Sequence, residues 1–95
     1  MPIDTVDNST ESRFEILVDG KVAGFADYRL LPTKIVFTHT EVLPDYEGQG
    51  LASKLVKHAL QASADAGLRV VPLCPFVAKY IARHPEFKDL VDAHE

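Results

Sequence analysis

Three side chains in the middle and late parts of the chain are of types that perform nucleophilic and acid–base chemistry. Cys74 stands directly before Pro75, at the capping position of a predicted helix. The dipole and the unpaired amides of a helix start favour a thiolate, so Cys74 is a candidate nucleophile. The alternative is that it packs as a small buried apolar residue, as most unpaired cysteines do.

His39 and Glu41 are two residues apart on a predicted strand, so their side chains share one face of it. A histidine titrates near neutral pH, which makes His39 a candidate base towards an amine or towards Cys74. Glu41 either orients His39 or acts as a base itself. The alternatives are a hydrogen-bonded core histidine and a solvated carboxylate at a strand end.

A glycine turn, Glu47-Gly48-Gln49-Gly50, joins this strand to an amphipathic helix that begins at Leu51. Glycines allow positive φ and close approach of a ligand, and helix-start amides attract anions. The pattern indicates a phosphate or pyrophosphate site, or else only a tight connection. It is no P-loop, because Leu51 follows Gly50, and no dinucleotide fingerprint, because Ser53 stands where a third glycine is needed.

The elements that must position these residues are predicted in the order β-β-β-α-β-α. The pair Asp19-Gly20 predicts a hairpin between strands at 13–18 and 21–29, and a third strand covers 34–42. A helix from Leu51 to Gly67, a strand at 68–73 and a helix between Pro75 and Pro85 follow. We expect an α/β fold with a mixed sheet that has an antiparallel N-terminal meander. Residues 1–12 are predicted to be a flexible tail, and residues 13–95 a single domain.

Composition narrows the classes of function. The 95 residues fit one domain, and a net charge of −4 argues against a broad nucleic-acid-binding face. A single cysteine excludes an internal disulfide and predicts a reducing compartment. No apolar run suits a membrane span, and no His or Cys pair has metal-ligand spacing. We therefore expect a cytoplasmic monomer or weak dimer without metal, membrane or nucleic-acid partners.

The segment 42–55 resembles the acetyl-CoA-binding segment of the GNAT superfamily, the GCN5-related N-acetyltransferases. More narrowly, residues 14–91 are similar to small stand-alone GNAT-like proteins. In these, His-Thr-Glu-Val precedes the glycine turn, as at 39–42 here, and Cys-Pro-Phe follows the next strand, as at 74–76. One departure is Glu47, which stands where the family motif usually has Arg or Gln.

The resemblance implies a minimal GNAT-like fold and an acetyl-CoA-dependent N-acetyltransferase with an unidentified amine or protein acceptor. Acetyl-CoA would be the co-substrate, with its pyrophosphate on the amides of 49–52 and pantetheine between strands 34–42 and 69–73. Tyr80 would donate a proton to the departing thiolate, or else belong to the core. The alternative function is a non-catalytic CoA-binding or protein-interaction module. The implied coenzyme-binding residues are Val42, Glu47, Gly48, Gln49, Gly50, Leu51, Ala52, Ser53 and Lys54.

The same resemblance bears on the acceptor. Larger GNAT enzymes carry helices between their first two strands, and these helices shape the acceptor pocket. Here Asp19-Gly20 joins the two strands directly. The acceptor site is therefore expected to be open and suited to a protein or peptide amine, or to be completed by another subunit.

Overall fold

A tight turn at Asp19-Gly20 organises the N-terminal half of the computed structural model, which describes residues 2–92. Asp19 has φ 52° and Gly20 has φ 80°, the conformation that a two-residue hairpin turn requires. The turn joins β2 (Arg13–Val18) to β3 (Lys21–Leu30), and the two strands pair antiparallel. The predicted hairpin is confirmed.

A further strand, β1 (Ile3–Asn8), precedes this hairpin. It pairs antiparallel with β2 from end to end, with Ile3 opposite Val18 and Asn8 opposite Arg13. The prediction of a flexible tail over residues 1–12 is therefore wrong for this stretch. Pairing with β2 supplies backbone hydrogen bonds that outweigh the turn-forming composition of the segment.

The sheet continues with β4 (Lys34–Val42), which is antiparallel to β3, and β5 (Arg69–Pro72), which is parallel to β4. The strand order in space is β1-β2-β3-β4-β5, the same as in sequence. The mixed α/β sheet expected from the sequence is confirmed, with one strand more than was predicted.

Two helices and two short 3₁₀ turns complete the fold. The helices are α1 (Leu51–Asp65) and α2 (Pro75–Arg83), and the 3₁₀ turns cover Pro44–Tyr46 and Pro85–Leu90. Gly67, with φ 74°, follows the end of α1, and Pro75 occupies the first position of α2. Both helices begin and end near the residues that the sequence signals predicted.

The core lies between the helices and one face of the sheet. The apolar stripe of α1, including Leu55, Val56 and Leu60, is buried against Ile16 and Phe37 and their neighbours on that face. α1 contacts all five strands, and α2 contacts β4, β5 and α1. The opposite face is partly exposed and carries charged side chains. Candidate residues on the covered face of the sheet are therefore buried, and those on the opposite face are exposed to solvent.

Candidate functional site

A gap opens between β4 and the start of α2. β5 pairs with β4 only from Lys34 to Phe37, and the Cys74 amide then donates to the Phe37 carbonyl at 2.9 Å. Beyond that point, β4 continues to Val42 without a β5 partner in the described part of the chain. β5 therefore ends at the level of Phe37, and the rest of β4 runs towards the glycine turn without it.

The glycine turn lies at the end of this gap, with Gly48 at φ 81° and Gly50 at φ 70°. Gly50 is the N-cap of α1, and no side chain of residues 2–92 caps this helix start. The first intrahelical bond runs from the Lys54 amide to the Gly50 carbonyl, at 3.3 Å. The amides ahead of Lys54 thus lack intrahelical acceptors and, with the helix dipole, attract an anion.

An open groove of about 280 Å³ follows the turn. It contains every predicted coenzyme-binding residue except Gln49 and Lys54. Sequence analysis missed two aromatic side chains that line it, Tyr46 and Phe76. Phe76 is one of the exposed large apolar residues. The lining comprises Val42, Tyr46, Glu47, Gly48, Gly50, Leu51, Ala52, Ser53 and Phe76.

Positive charge lies next to this groove, on α2. A smaller groove of about 120 Å³ shares Ser53 and Phe76 with it and is also lined by Lys79, Arg83 and Tyr80. Both basic residues are exposed, and their spacing of four places them on one face of α2. Sequence analysis placed the basic residue near the site at Lys54. No local signal in the sequence could have identified them, because only the packing of α2 beside α1 brings them to the groove.

Glu47 brings a negative charge to the same groove. Its side chain is exposed, and its amide donates to the Pro44 carbonyl at 3.4 Å. The amide is thus already engaged, and the carboxylate would repel a bound anion. Because the side chain is exposed, it can turn towards solvent.

Cys74 lies at the gap between the strands, as the N-cap of α2. It is only 3% exposed, and its Sγ–H donates to Thr40 Oγ1 at 3.4 Å. Cys74 is therefore buried and also lies at the start of a helix. The burial fits the alternative of a small packed residue, and the role of Cys74 as a nucleophile stays a prediction.

His39 and Glu41 form a pair on the exposed side of β4. His39 Nε2 lies 3.2 Å from Glu41 Oε1, and the two side chains are 57% and 49% exposed. His39 is opposite Asp27 in the sheet, whereas Thr40 is opposite the buried Ala26. Side chains alternate along a strand, so His39 faces away from Cys74. The His39 side chain is exposed, so the alternative of a core histidine is wrong, and a role of His39 as a base stays a prediction.

Tyr80 lies on α2, which begins at the gap. Its ring stacks on His84 with centroids 3.9 Å apart, and His84 Nδ1 is 2.8 Å from the Tyr80 carbonyl. Burial, and secondarily the charge of Glu86, raises the pKa of Tyr80, so the hydroxyl stays protonated at neutral pH. Tyr80 is buried and also lines the smaller groove. Its role as a proton donor stays a prediction.

Neither a metal-binding cluster nor a membrane-spanning helix is present within residues 2–92. No group of three or more His, Cys, Asp and Glu side chains in this range has an arrangement that could hold a metal ion. None of the helices described there combines the length and the apolar character needed to cross a membrane.

Comparison with known proteins gives a family match and a shared fold. A model of the GCN5-related N-acetyl-transferase family matches residues 13–90. The solution structure of a GCN5-like protein from Staphylococcus aureus has a TM-score of 0.68 at 22% identity, covering 99% of this chain and 90% of the other. No curated protein matches the sequence.

Two larger proteins share the fold. One is a ribosomal-protein-alanine N-acetyltransferase from Brucella melitensis biovar Abortus 2308, with a TM-score of 0.60 at 20% identity. The other is an aminoglycoside acetyltransferase from an uncultured soil metagenomic sample, with a TM-score of 0.55 at 15% identity. Each aligns with 87% of this chain, which spans 62% and 60% of their respective lengths.

Proposed function

Because the chain belongs to the GCN5-related N-acetyltransferase family, we propose that it transfers the acetyl group of acetyl-CoA to an amine. One observation carries this proposal: the gap between β4 and α2 leads directly into the uncapped glycine turn of α1. A long ligand with an anionic part and a polar arm would place the anionic part at the glycine turn and the arm in the gap. Within the family, acetyl-CoA is such a ligand.

The binding mode follows from the groove. The pyrophosphate would accept hydrogen bonds from the amides at the start of α1, where the helix dipole adds positive potential. The exposed ring of Phe76 offers an apolar surface beside it, and Lys79 and Arg83 add positive charge. The pantetheine arm would pair with the backbone of 38–42, which has no β5 partner among the described residues. The thioester would then reach the level of Thr40 and Cys74.

The reaction requires a neutral amine and a proton for the departing CoA thiolate. The amine nitrogen attacks the thioester carbonyl carbon, the C–S bond breaks, and the amine proton is lost to a base. The pair of His39 and Glu41, on the exposed side of β4, would serve as this base. Tyr80, or the thiol of Cys74, would return a proton to the thiolate of CoA.

A covalent route uses the same groups. The Cys74 thiolate would attack the thioester, forming acetyl-Cys74 and releasing CoA, and the amine would then take the acetyl group from sulfur. The position of Cys74 at the start of α2, with its sulfur on Thr40, supports this route. The exposure of Cys74 is only 3%, so the bound acetyl group would have to enter through the gap.

The acceptor side is open. The first two strands of the sheet are β1 and β2, and residues 9–12 alone join them, which leaves no room for helices between them. His39 and Glu41 are exposed on the sheet. An open face suits an amine carried by a protein or peptide better than a small molecule that needs an enclosing pocket. The acceptor is therefore proposed to be a protein or peptide amine.

Calorimetric titration with acetyl-CoA and CoA, combined with intact-mass analysis, tests this function. We expect micromolar binding and, for the covalent route, a mass gain of about 42 Da (one acetyl group) on Cys74. Cys74→Ala should retain CoA binding and lose the mass gain. Gly50→Glu, which places a side chain and a negative charge at the turn, should lose binding while the domain remains folded. Binding that survives Gly50→Glu would contradict the placement.

A second candidate function is a CoA-binding module without catalysis. The observation that favours it is the separation of His39 from Cys74 on opposite sides of β4. Such a module would bind CoA and acetyl-CoA equally and would acetylate neither Cys74 nor a lysine peptide. The same titration and mass measurements therefore distinguish the two candidates.

A further inference from the structure

A separate depression lies at the other end of α1, between the last turn of this helix and the sheet. Its volume is about 200 Å³. Its first lining residue on α1, Ala62, lies eleven residues after Leu51, a separation from the glycine turn of roughly 16 Å at 1.5 Å of helix rise per residue. It is lined by Asp7, Phe14, Tyr28, Leu30, Ile35, Ala62, Ser63, Ala66 and Leu68.

Most of this lining is apolar. Phe14 and Ile35 form its floor on the sheet, and the small side chains of Ala62 and Ala66 leave room beneath α1. Leu30 lies at the edge and is 59% exposed, more than any other large apolar residue described. An exposed large apolar side chain beside an apolar depression indicates a surface that can take an apolar group.

One carboxylate supplies the charge of the depression. The Tyr28 hydroxyl donates to Asp7 Oδ1 at 2.6 Å, which holds the carboxylate at the mouth. The Ser63 hydroxyl is engaged with the Ala59 carbonyl at 2.8 Å, so it does not compete for a ligand. No Lys or Arg among residues 2–92 lines the depression. Its potential is therefore negative at one edge and its walls are apolar.

We propose that this depression binds a small organic cation, an aromatic or branched alkyl ammonium. The apolar part would lie between α1 and the sheet, and the nitrogen would meet Asp7 at the mouth. A cavity of about 150 Å³ is enough for benzene, so the volume suits one ring with a short charged arm. The site does not depend on the proposed acetyl transfer, because it lies at the far end of α1 from the glycine turn.

Amide NMR titration with benzylammonium chloride, and with benzyl alcohol as the neutral probe of the same shape, tests the proposal. We expect saturable shifts at Tyr28, Leu30, Ala62 and Ala66, and tighter binding of the cation than of the alcohol. Asp7→Asn still accepts the Tyr28 hydrogen bond but loses the charge. It should weaken benzylammonium binding about fivefold and leave benzyl alcohol unchanged.

A second pair of variants tests the location. Ala66→Leu fills the depression and should weaken both probes at least about tenfold, by steric exclusion. Ala64→Leu is the matched control, since Ala64 is exposed on α1 and does not line the depression. Equal affinity for the two probes, or an Ala66→Leu variant that binds as the wild type does, would overturn the proposal.

Saturation with CoA separates this site from the acceptor site. Benzylammonium shifts at 28–30 and 62–66 should persist in the presence of CoA. Shifts confined to His39, Glu41 and the glycine turn would mean that the probe binds only as an acceptor amine, and the proposal would fail. A protein that does not bind CoA at all would contradict the proposed acetyl transfer and leave these shifts intact.

Discussion

Cys74 Sγ lies 3.4 Å from Thr40 Oγ1, and this contact lies just beyond the end of β5. It connects the cap of α2 with the part of β4 that runs towards the glycine turn. In the binding mode proposed above, the thioester of acetyl-CoA would arrive beside this cysteine, the only one of the chain.

Thr40→Val removes the hydroxyl that accepts from the thiol and keeps the shape of the side chain. We expect acetylation of Cys74 by acetyl-CoA to slow about tenfold, because the sulfur loses the contact that orients it. CoA affinity should change less than about twofold, since the pyrophosphate site is untouched. Intact-mass time courses and calorimetry measure the two effects. Thr38→Val, at an exposed position of the same strand, is the control, and equal slowing in both variants would contradict the role of Thr40.

Glu47→Gln should tighten CoA binding about fivefold, because the wild-type carboxylate lines the groove and repels the pyrophosphate. The gain should shrink at 500 mM salt, where exposed charges are screened. Calorimetry at two salt concentrations measures it. Asp45→Asn, in the neighbouring 3₁₀ turn and outside the groove lining, is the matched control. Equal gains from both variants would indicate an effect of net charge alone.

Lys79→Ala and Arg83→Ala should each weaken CoA binding about two- to fivefold, since both are exposed and line the groove that continues from the glycine turn. Pantetheine lacks phosphate groups, so its affinity should not change. Lys57→Ala, on the exposed face of α1, serves as the control. If the variants lost as much affinity for pantetheine as for CoA, the two basic residues would not be binding the phosphate groups.

Tyr28→Phe tests the contact with Asp7 through the pH dependence of stability. Burial, with the Asp7 hydrogen bond, raises the pKa of Tyr28 from 10.0 to about 12. In the unfolded chain Tyr28 ionises at a lower pH than in the folded protein. The hydroxyl therefore stabilises the folded state fully below pH 10, and this contribution is lost as the pH rises to 12. The free energy of unfolding of the wild type should exceed that of the variant by about 1 kcal/mol at pH 8. That difference should decrease by about 2 kcal/mol on approach to pH 12.

Urea unfolding of both proteins between pH 8 and pH 12 measures this difference. Other ionising groups affect both proteins alike, so the subtraction isolates Tyr28. A difference that stays constant across this range would show that the hydroxyl ionises equally in the folded and unfolded states.

Local signals in the sequence predicted most of the fold. Asp19-Gly20 has the positive φ values that its residue types favour, and the stripe of α1 is buried as its period predicts. β1 was missed because Asp4, Asp7 and Asn8 are residues typical of turns. Its strand conformation depends on pairing with β2, an interaction that local composition does not report.

The part of the candidate site that lies on one strand was predicted correctly from the alternation of side chains along that strand. His39 and Glu41 lie on one face of β4, as a spacing of two requires. The partner of Cys74 was harder to predict, because the contact with Thr40 joins residues 34 positions apart. Lys79 and Arg83 were missed for the same reason, since only packing of α2 beside the start of α1 brings them to the groove.

The order of the strands in space has a consequence for synthesis on the ribosome. Because the order is β1-β2-β3-β4-β5, each of β2, β3 and β4 finds its antiparallel partner already made when it emerges. These antiparallel pairs are local in sequence, which favours fast formation. Their apolar face is uncovered until α1 has been made, so the nascent chain is most prone to aggregation between the completion of β4 and the emergence of that helix.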